Sequence, residues 1–238
     1  MFYDQSRFEV RMEWGERGLE HVGAGCGAVV IVDVLSFTTC VDVAVSRGAA
    51  VLPYPYKRDA ATAAFARSHS ALLAVPRKEA GYSLSSASLM TIPAGTRLVL
   101  PSPNGSALTV KACAPLILAG CLRNAEAVAE FIGGRGPVAV IPCGERWPDG
   151  TLRPALEDLV GAGAVIAHLP GRPSPEARAA VAAYRSAEAD LAGFLADCSS
   201  ARELAELGYK DDLPLAAALN VSRAVPLYRA PAYVNATA

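Results

Sequence analysis

The chain has little of what most specialised function classes require. No apolar, uncharged run approaches bilayer length; Leu159–Leu169 is typical, short and interrupted by glycine. An excess of one charge is also missing, because Lys+Arg 22 against Asp+Glu 23 leaves a net charge of −1. That removes the electrostatic footprint of a nucleic-acid binder. Only three histidines occur (His21, His69 and His168), none at metal-ligand spacing, which argues against a zinc site. The six cysteines (Cys26, Cys40, Cys113, Cys121, Cys143 and Cys198) include no C-x-x-C pair. They read as free, buried thiols rather than a disulfide framework. Met1–Glu20 is charged and aromatic, without the apolar core of a signal peptide. These absences together predict a soluble, cytoplasmic protein with no nucleic-acid or membrane partner.

What is present is apolar residues in quantity. Of 238 residues, 52% are hydrophobic and 19% charged, enough for one large core and too ordered a composition for disorder. From Ala28 onward, short β-branched runs alternate with Ala-rich helical ones. Ala28–Val34, Ala50–Tyr54, Ala71–Val75, Arg97–Pro101, Leu116–Ala119 and Pro137–Pro142 read as strands. Thr38–Arg47, Arg58–Ser68, Ser106–Cys113 and Ala125–Ile132, the last capped by Asn124, read as the helices between them. Continuous apolar runs imply strands buried on both faces. The expected class is α/β, a mostly parallel sheet flanked by helices. After Pro142 the pattern turns helical (Leu156–Leu169, Glu176–Cys198, Ala201–Leu207), with Ala224–Tyr228 the one further candidate strand. The expectation is a single domain over residues 1–238 with a helical subregion at 170–238. The apolar stripe on Glu176–Cys198 fits core packing or a homodimer contact equally.

In open α/β sheets ligands bind beyond the carboxyl ends of strands. Asp33, Thr38 and Thr39 follow the first of these strands; Ser102, Asn104, Gly105 and Ser106 follow another; Cys143, Gly144 and Glu145 follow a third, with Glu157-Asp158 a little later. Each has a plain alternative. Asp33, Thr38 and Thr39 could cap a helix, Asn104-Gly105 could be a turn, Cys143 a core thiol, and Glu157-Asp158 a solvated first helical turn. Equally, a carboxylate in an apolar run is costly unless paired or metal-bound, and a helix start offers N–H groups to an anion.

Several chemistries fail on placement. Gly23-Ala24-Gly25-Cys26-Gly27 precedes its strand, whereas a dinucleotide fingerprint follows one, and Gly161-Ala162-Gly163 lies inside a helical pattern. No P-loop occurs. A phosphatase with two aspartates two residues apart needs an acid at Leu35, and a cysteine phosphatase needs an arginine where Asp149 stands. With hard oxygen ligands abundant, Mg2+ is the metal these residues suit.

Taken in order, the pieces resemble the 2-phosphosulfolactate phosphatase family of Mg2+-dependent acid phosphatases. Asp33–Cys40 (DVLSFTTC) is similar to that family's Asp-Val-Leu-Arg-Ala-Thr-Thr-Thr segment, with Ser36 in the arginine position. Ser102–Ser106 (SPNGS) resembles its Thr-Thr-Asn-Gly-Thr. Cys143-Gly144, Glu157-Asp158 and Gly161-Ala162-Gly163 resemble its Cys-Ala-Gly, Glu-Asp and glycine-rich helix. Asp211-Asp212 ahead of Val225-Pro226 matches a late acidic segment. Pro76-Arg77 or Arg77-Lys78-Glu79 stands for a Gly-Glu-Arg element, and Ser85–Ser88 for a Gly-Asn-Ser-Pro element. The resemblance runs over about residues 25–228.

It implies hydrolysis of a small anionic phosphoester. Asp33, Glu157 and Asp158 are then candidate Mg2+ ligands, with Glu145 an alternate. Thr38, Thr39, Ser102, Asn104, Gly105, Ser106 and Gly144 would meet substrate, and Asp33, Cys143 and Glu145 would be catalytic. A second reading remains beside it: an anion-binding relative that kept the fold and lost the chemistry.

Overall fold

A computed structural model describes residues 2–55 and 59–237, and elements are counted over these. One nine-stranded sheet dominates, in the order β1-β7-β2-β6-β10-β11-β3-β5-β4. Its first group is β1 (Val10–Met12), β7 (Val138–Pro142), β2 (Ala28–Val32) and β6 (Leu116–Gly120), all parallel. Its last group is β3 (Ala50–Pro55), β5 (Arg97–Ser102) and β4 (Leu72–Leu73), again parallel. Between them stands an antiparallel hairpin, β10 (Pro226–Arg229) and β11 (Ala232–Asn235). It joins β6 at Leu227↔Leu118 and β3 at Tyr233↔Val51, both antiparallel. Three successive reversals mean that the two parallel groups run in opposite senses. A separate short hairpin pairs β8 (Glu145–Arg146) with β9 (Leu152–Arg153).

The alternation of side chains along β2 shows how the layers form. Ala28, Val30 and Val32 face one core, with α5 (Ala125–Ile132), α6 (Leu156–His168) and α7 (Pro175–Ala187). Val29 and Ile31 face the other, with α1 (Gly15–Val22) and α4 (Gly105–Lys111). In the second group, α2 (Phe37–Ser46) packs on Val51, Leu98, Leu100 and Tyr233, and α3 (Ala60–Ser68) packs beside Leu52 and Val99. The α/β class with a mostly parallel, helix-flanked sheet is thus observed.

The sequence reading needs correction at several points. Strand β1 and helix α1 lie in an N-terminal stretch that carried no assignment. The stretch Glu176–Cys198 is not one helix: α7 gives way to a 3-10 turn at Glu188–Asp190 and then α8 (Leu191–Asp197). Helices α9 (Ser199–Glu206) and α10 (Asp212–Ala217) follow, but the chain then returns to strand. The C-terminal hairpin fills the middle of the sheet rather than belonging to a helical appendage. Asn124 does not cap α5 with its side chain; its Oδ1 accepts the Cys121 N–H at 2.9 Å, and its amide donates to the Ala119 carbonyl. Arg58, the expected first residue of a helix, lies outside the described residues, and α3 is capped by Asp59. All six cysteines are free, but Cys113 is exposed. No described helix is long and apolar enough to cross a membrane.

The Gly161-Ala162-Gly163 stretch turns out to be a packing device. A Cβ at Gly163 would lie 2.0 Å from the Ala180 carbonyl oxygen of α7, and one at Gly161 would lie 2.5 Å from Val34 Cγ2. These glycines let α6 wedge between the end of β2 and α7. Substituting Gly163→Ala therefore forces the two helices apart and should cost about 1–3 kcal/mol. Urea denaturation measures it, and an unchanged midpoint would mean the helix crossing is not the close one seen.

Candidate active site

The end of β2 runs directly into a buried carboxylate. Asp33 Oδ1 accepts the Phe37 N–H at the start of α2 (3.1 Å), while Oδ2 accepts the Gly105 N–H at the start of α4 (2.8 Å). The Ser102 hydroxyl lies 3.5 Å from the same Oδ2. Gly105 is needed here, since a Cβ would sit 2.8 Å from that oxygen and 2.3 Å from the Phe37 ring. Asp33 thus draws the carboxyl ends of β2 and β5 together although their groups run in opposite senses. Burial pushes its pKa up, the two N–H groups oppose that, and the charge of Glu157 adds to the rise.

A second buried carboxylate ties β2 to β7. Asp158, in the first turn of α6, accepts the Val34 N–H at 2.7 Å and the Gly144 N–H at 2.9 Å, one on each oxygen. Burial and the charges of Asp33 and Glu157 raise its pKa well above the carboxylate range. Asp158 is therefore engaged by backbone on both oxygens, an organising clamp. Glu157 beside it is equally buried, at 2% exposure, and has no hydrogen bond or ion pair among the described residues. Glu145, on β8, accepts from the Asn104 amide at 3.1 Å. Burial and the Asp33 charge push its pKa up to about 7.

The other residues singled out from sequence are also gathered here, but several are spent on the chain itself. The Thr38 hydroxyl donates to the Asp33 carbonyl (2.9 Å) and Thr39 to that of Val34 (2.7 Å); both are buried and brace the β2–α2 turn. The Ser106 hydroxyl donates to the Leu100 carbonyl at 2.8 Å, and the Asn104 N–H to Ser102 Oγ at 3.2 Å. Cys143 is buried, and desolvation together with the charges of Asp33, Asp158 and Glu145 raises its thiol pKa well above normal. That holds it as a neutral thiol, which disfavours the nucleophile reading.

Sequence reasoning matched Arg77 to a family-like element but gave it no role in the site. Its Nη2 donates to Ser36 Oγ and its Nη1 to Asp212 Oδ2, both at 2.8 Å, and its guanidinium lies 5.1 Å over the Tyr209 ring. Asp212 also accepts from the Ser85 and Ser86 hydroxyls and the Ala87 N–H (2.7, 3.1 and 2.9 Å). One carboxylate from the C-terminal region therefore fixes the loop at 83–88 and aims Arg77. The signal was present in sequence only as a late acidic pair and an arginine on a loop. A cleft of about 190 Å3 opens between Asp33, Ser36, Arg77, Asn104 and Glu145, closed on its far side by Ser200 and Glu203 of α9. Arg77 is the only cation among the described residues lining it.

An α/β sheet with acidic groups and one guanidinium converging on a small cleft has the build of a site for a small polar molecule. The chain belongs to the 2-phosphosulpholactate phosphatase family, whose model matches residues 19–231. A protein of Parasynechococcus marenigrum named probable 2-phosphosulfolactate phosphatase is 31% identical over 225 residues, 88% of this chain and 92% of that one. A Gloeobacter violaceus protein of the same name is 34% identical over 134 residues, and this match spans 56% of each chain, little more than half of that relative's length. The 2-phosphosulfolactate phosphatase of Methanocaldococcus jannaschii is 27% identical over 135 residues, 57% of each chain.

The raised carboxyl pKa values have a consequence for stability. Glu145 holds its proton to about pH 7 in the folded chain but releases it near its ordinary value of 4.5 when unfolded. The folded state thus binds more protons between these limits, so stability falls as pH rises from about 4.5 to about 7. Glu145→Gln keeps the site neutral and should flatten part of that fall. Denaturation midpoints at pH 5 and pH 8 provide the check; an identical slope in the variant would place the titration elsewhere.

Proposed function

We propose that the protein hydrolyses a small anionic phosphoester, of the kind its relatives' names specify: 2-phospho-3-sulfolactate to 3-sulfolactate and phosphate. The observation that carries this reading is the cleft in which Arg77 faces the carboxylates of Asp33 and Glu145. The guanidinium offers paired donors to a phosphate or sulfonate oxygen edge. Arg77 stands beside Ser36, where the family resemblance places an arginine, so a guanidinium is supplied to the same corner from another part of the chain. Glu145, with a pKa of about 7, is poised to take a proton from attacking water or return one to the leaving oxygen. Asn104 orients it.

Mg2+ is the cofactor we propose. Among the described residues no three His, Cys, Asp or Glu side chains are set as a ready cage. Mg2+ does not require one, since it binds through one or two carboxylates together with waters and substrate phosphate. Asp33 and the otherwise unpartnered Glu157 fit that demand. When bound, the ion would supply positive charge to the phosphoryl oxygens. Asp158 accepts two backbone N–H groups, as Asp33 does, but unlike Asp33 it does not line the cleft, and it would orient the neighbouring turn instead. Six free thiols fit a reducing compartment, so we place the enzyme in the cytoplasm.

Release of inorganic phosphate from a panel of small phosphorylated acids tests the proposal. Turnover should vanish with a chelator and return with Mg2+. Asp33→Asn should lower it at least a hundredfold in a folded protein. Arg77→Gln should raise KM about tenfold or more, with a smaller effect on kcat, because it removes an anion anchor. Tight phosphate binding without turnover or metal dependence would instead support the anion-binding relative.

A further inference from the structure

A larger cavity adjoins the cleft, and the function proposed above does not use it. About 340 Å3 in volume, it is walled by Trp14, Ala107, Leu108 and Leu152 and lined also by Glu16, Arg17 and Arg146. It shares Pro103, Asn104 and Glu145 with the cleft. Its size falls within the roughly 300–1,000 Å3 of ligand pockets, whereas the cleft alone is smaller than that range. The walls come from four places in the chain: the residue before α1, helix α4, strand β9 and the turn after β5. Asn104 and Glu145, joined by a hydrogen bond of 3.1 Å, line both spaces, so the two meet at that pair. On the cleft side lie Asp33 and Arg77, suited to a phosphoryl group; on the cavity side an indole and two leucine side chains offer apolar surface, beside the charged Glu16, Arg17 and Arg146.

The geometry points to a two-part substrate site, in which the phosphoryl end occupies the cleft and an apolar or aromatic organic end occupies the Trp14–Leu108–Leu152 cavity. This rests on the phosphatase reading and enlarges its substrate class: phosphomonoesters of compact apolar or aromatic alcohols are accepted as well as small acids. A purely polar three-carbon ester would leave this apolar surface wet. A ring or branched chain would displace that water and gain the burial of its own apolar area.

Binding of two non-hydrolysable probes separates the possibilities without relying on turnover. By calorimetry, phenylphosphonate should bind at least tenfold more tightly than methylphosphonate and should alter the fluorescence of Trp14. Ala107→Phe, which fills the cavity from α4, should erase that advantage while leaving methylphosphonate affinity within twofold. Trp14→Ala should erase it as well, through loss of the aromatic wall. Equal affinities in the parent protein, or an advantage that survives both substitutions, overturn the inference. If phosphate is still released from a small phosphoester in that case, the phosphatase reading stands alone. Failure of both phosphonates to bind, with no phosphate released from any ester, overturns the two together.

Discussion

One carboxylate joins what the sheet cannot. Strands β2 and β5 belong to groups that run in opposite senses, so no backbone ladder connects their ends. Asp33 makes the connection by accepting one N–H from the start of α2 and another from the start of α4. A charged group is well suited to this, because hydrogen bonds to a carboxylate are stronger than those between neutral groups. The same choice places a negative charge where water is scarce, and burial raises the Asp33 pKa despite both donors. The link that assembles the fold at this point therefore also creates an electrostatic demand there.

That demand grows with each neighbour. Asp158 clamps β2 to β7 through Val34 and Gly144, Glu157 stands beside it, and Glu145 faces the cleft. The charges of Asp33 and Glu157 raise the pKa values of Asp158 and Glu145. Arg77 lies across the cleft, but it is shared with Asp212, which takes part of its charge. The balance stays acidic. An anionic ester entering such a site meets repulsion unless further positive charge accompanies it. This physical argument bears on the cation proposed above and is independent of any likeness to other proteins.

Legibility in the sequence followed locality. Strands β2, β5, β6 and β7 were readable because burial on both faces produces unbroken apolar runs. The residues at their ends were readable as a group from the strand-end rule, and Asp33, Ser102, Asn104, Gly105, Glu145 and Asp158 do converge. The roles of the hydroxyls were not readable. Thr38, Thr39 and Ser106 sit where an anion site would place them, yet each donates to a carbonyl, because the sharp turns at α2 and α4 leave backbone acceptors to satisfy. Of the C-terminal hairpin only the first strand was readable, as Ala224–Tyr228 against the observed Pro226–Arg229; the second, Ala232–Asn235, is four residues long with only its first two buried. Arg77 was matched to a family-like element but its role was not readable, because that role is set by Asp212, 135 residues later.

The distance between Arg77 and Asp212 fits the architecture as a whole. Among the described residues, β10 and β11 are the only strands that connect the two parallel groups within the sheet. Tyr233 on β11 lies fully buried, its hydroxyl 2.7 Å from Thr109 Oγ1 on α4, the helix whose first N–H holds Asp33. The segment just before the hairpin supplies Asp212 and the helix α9 that closes the cleft. Pairing within each group already spans long separations, as in Val10↔Val138, Ala28↔Leu116 and Ala50↔Arg97. The cleft between the halves likewise depends on contacts of high sequence separation, which carry a large loop-closure cost. Core and site therefore share one determinant: the C-terminal region sets the two strand groups side by side, and its Asp212 aims the guanidinium at the carboxylates.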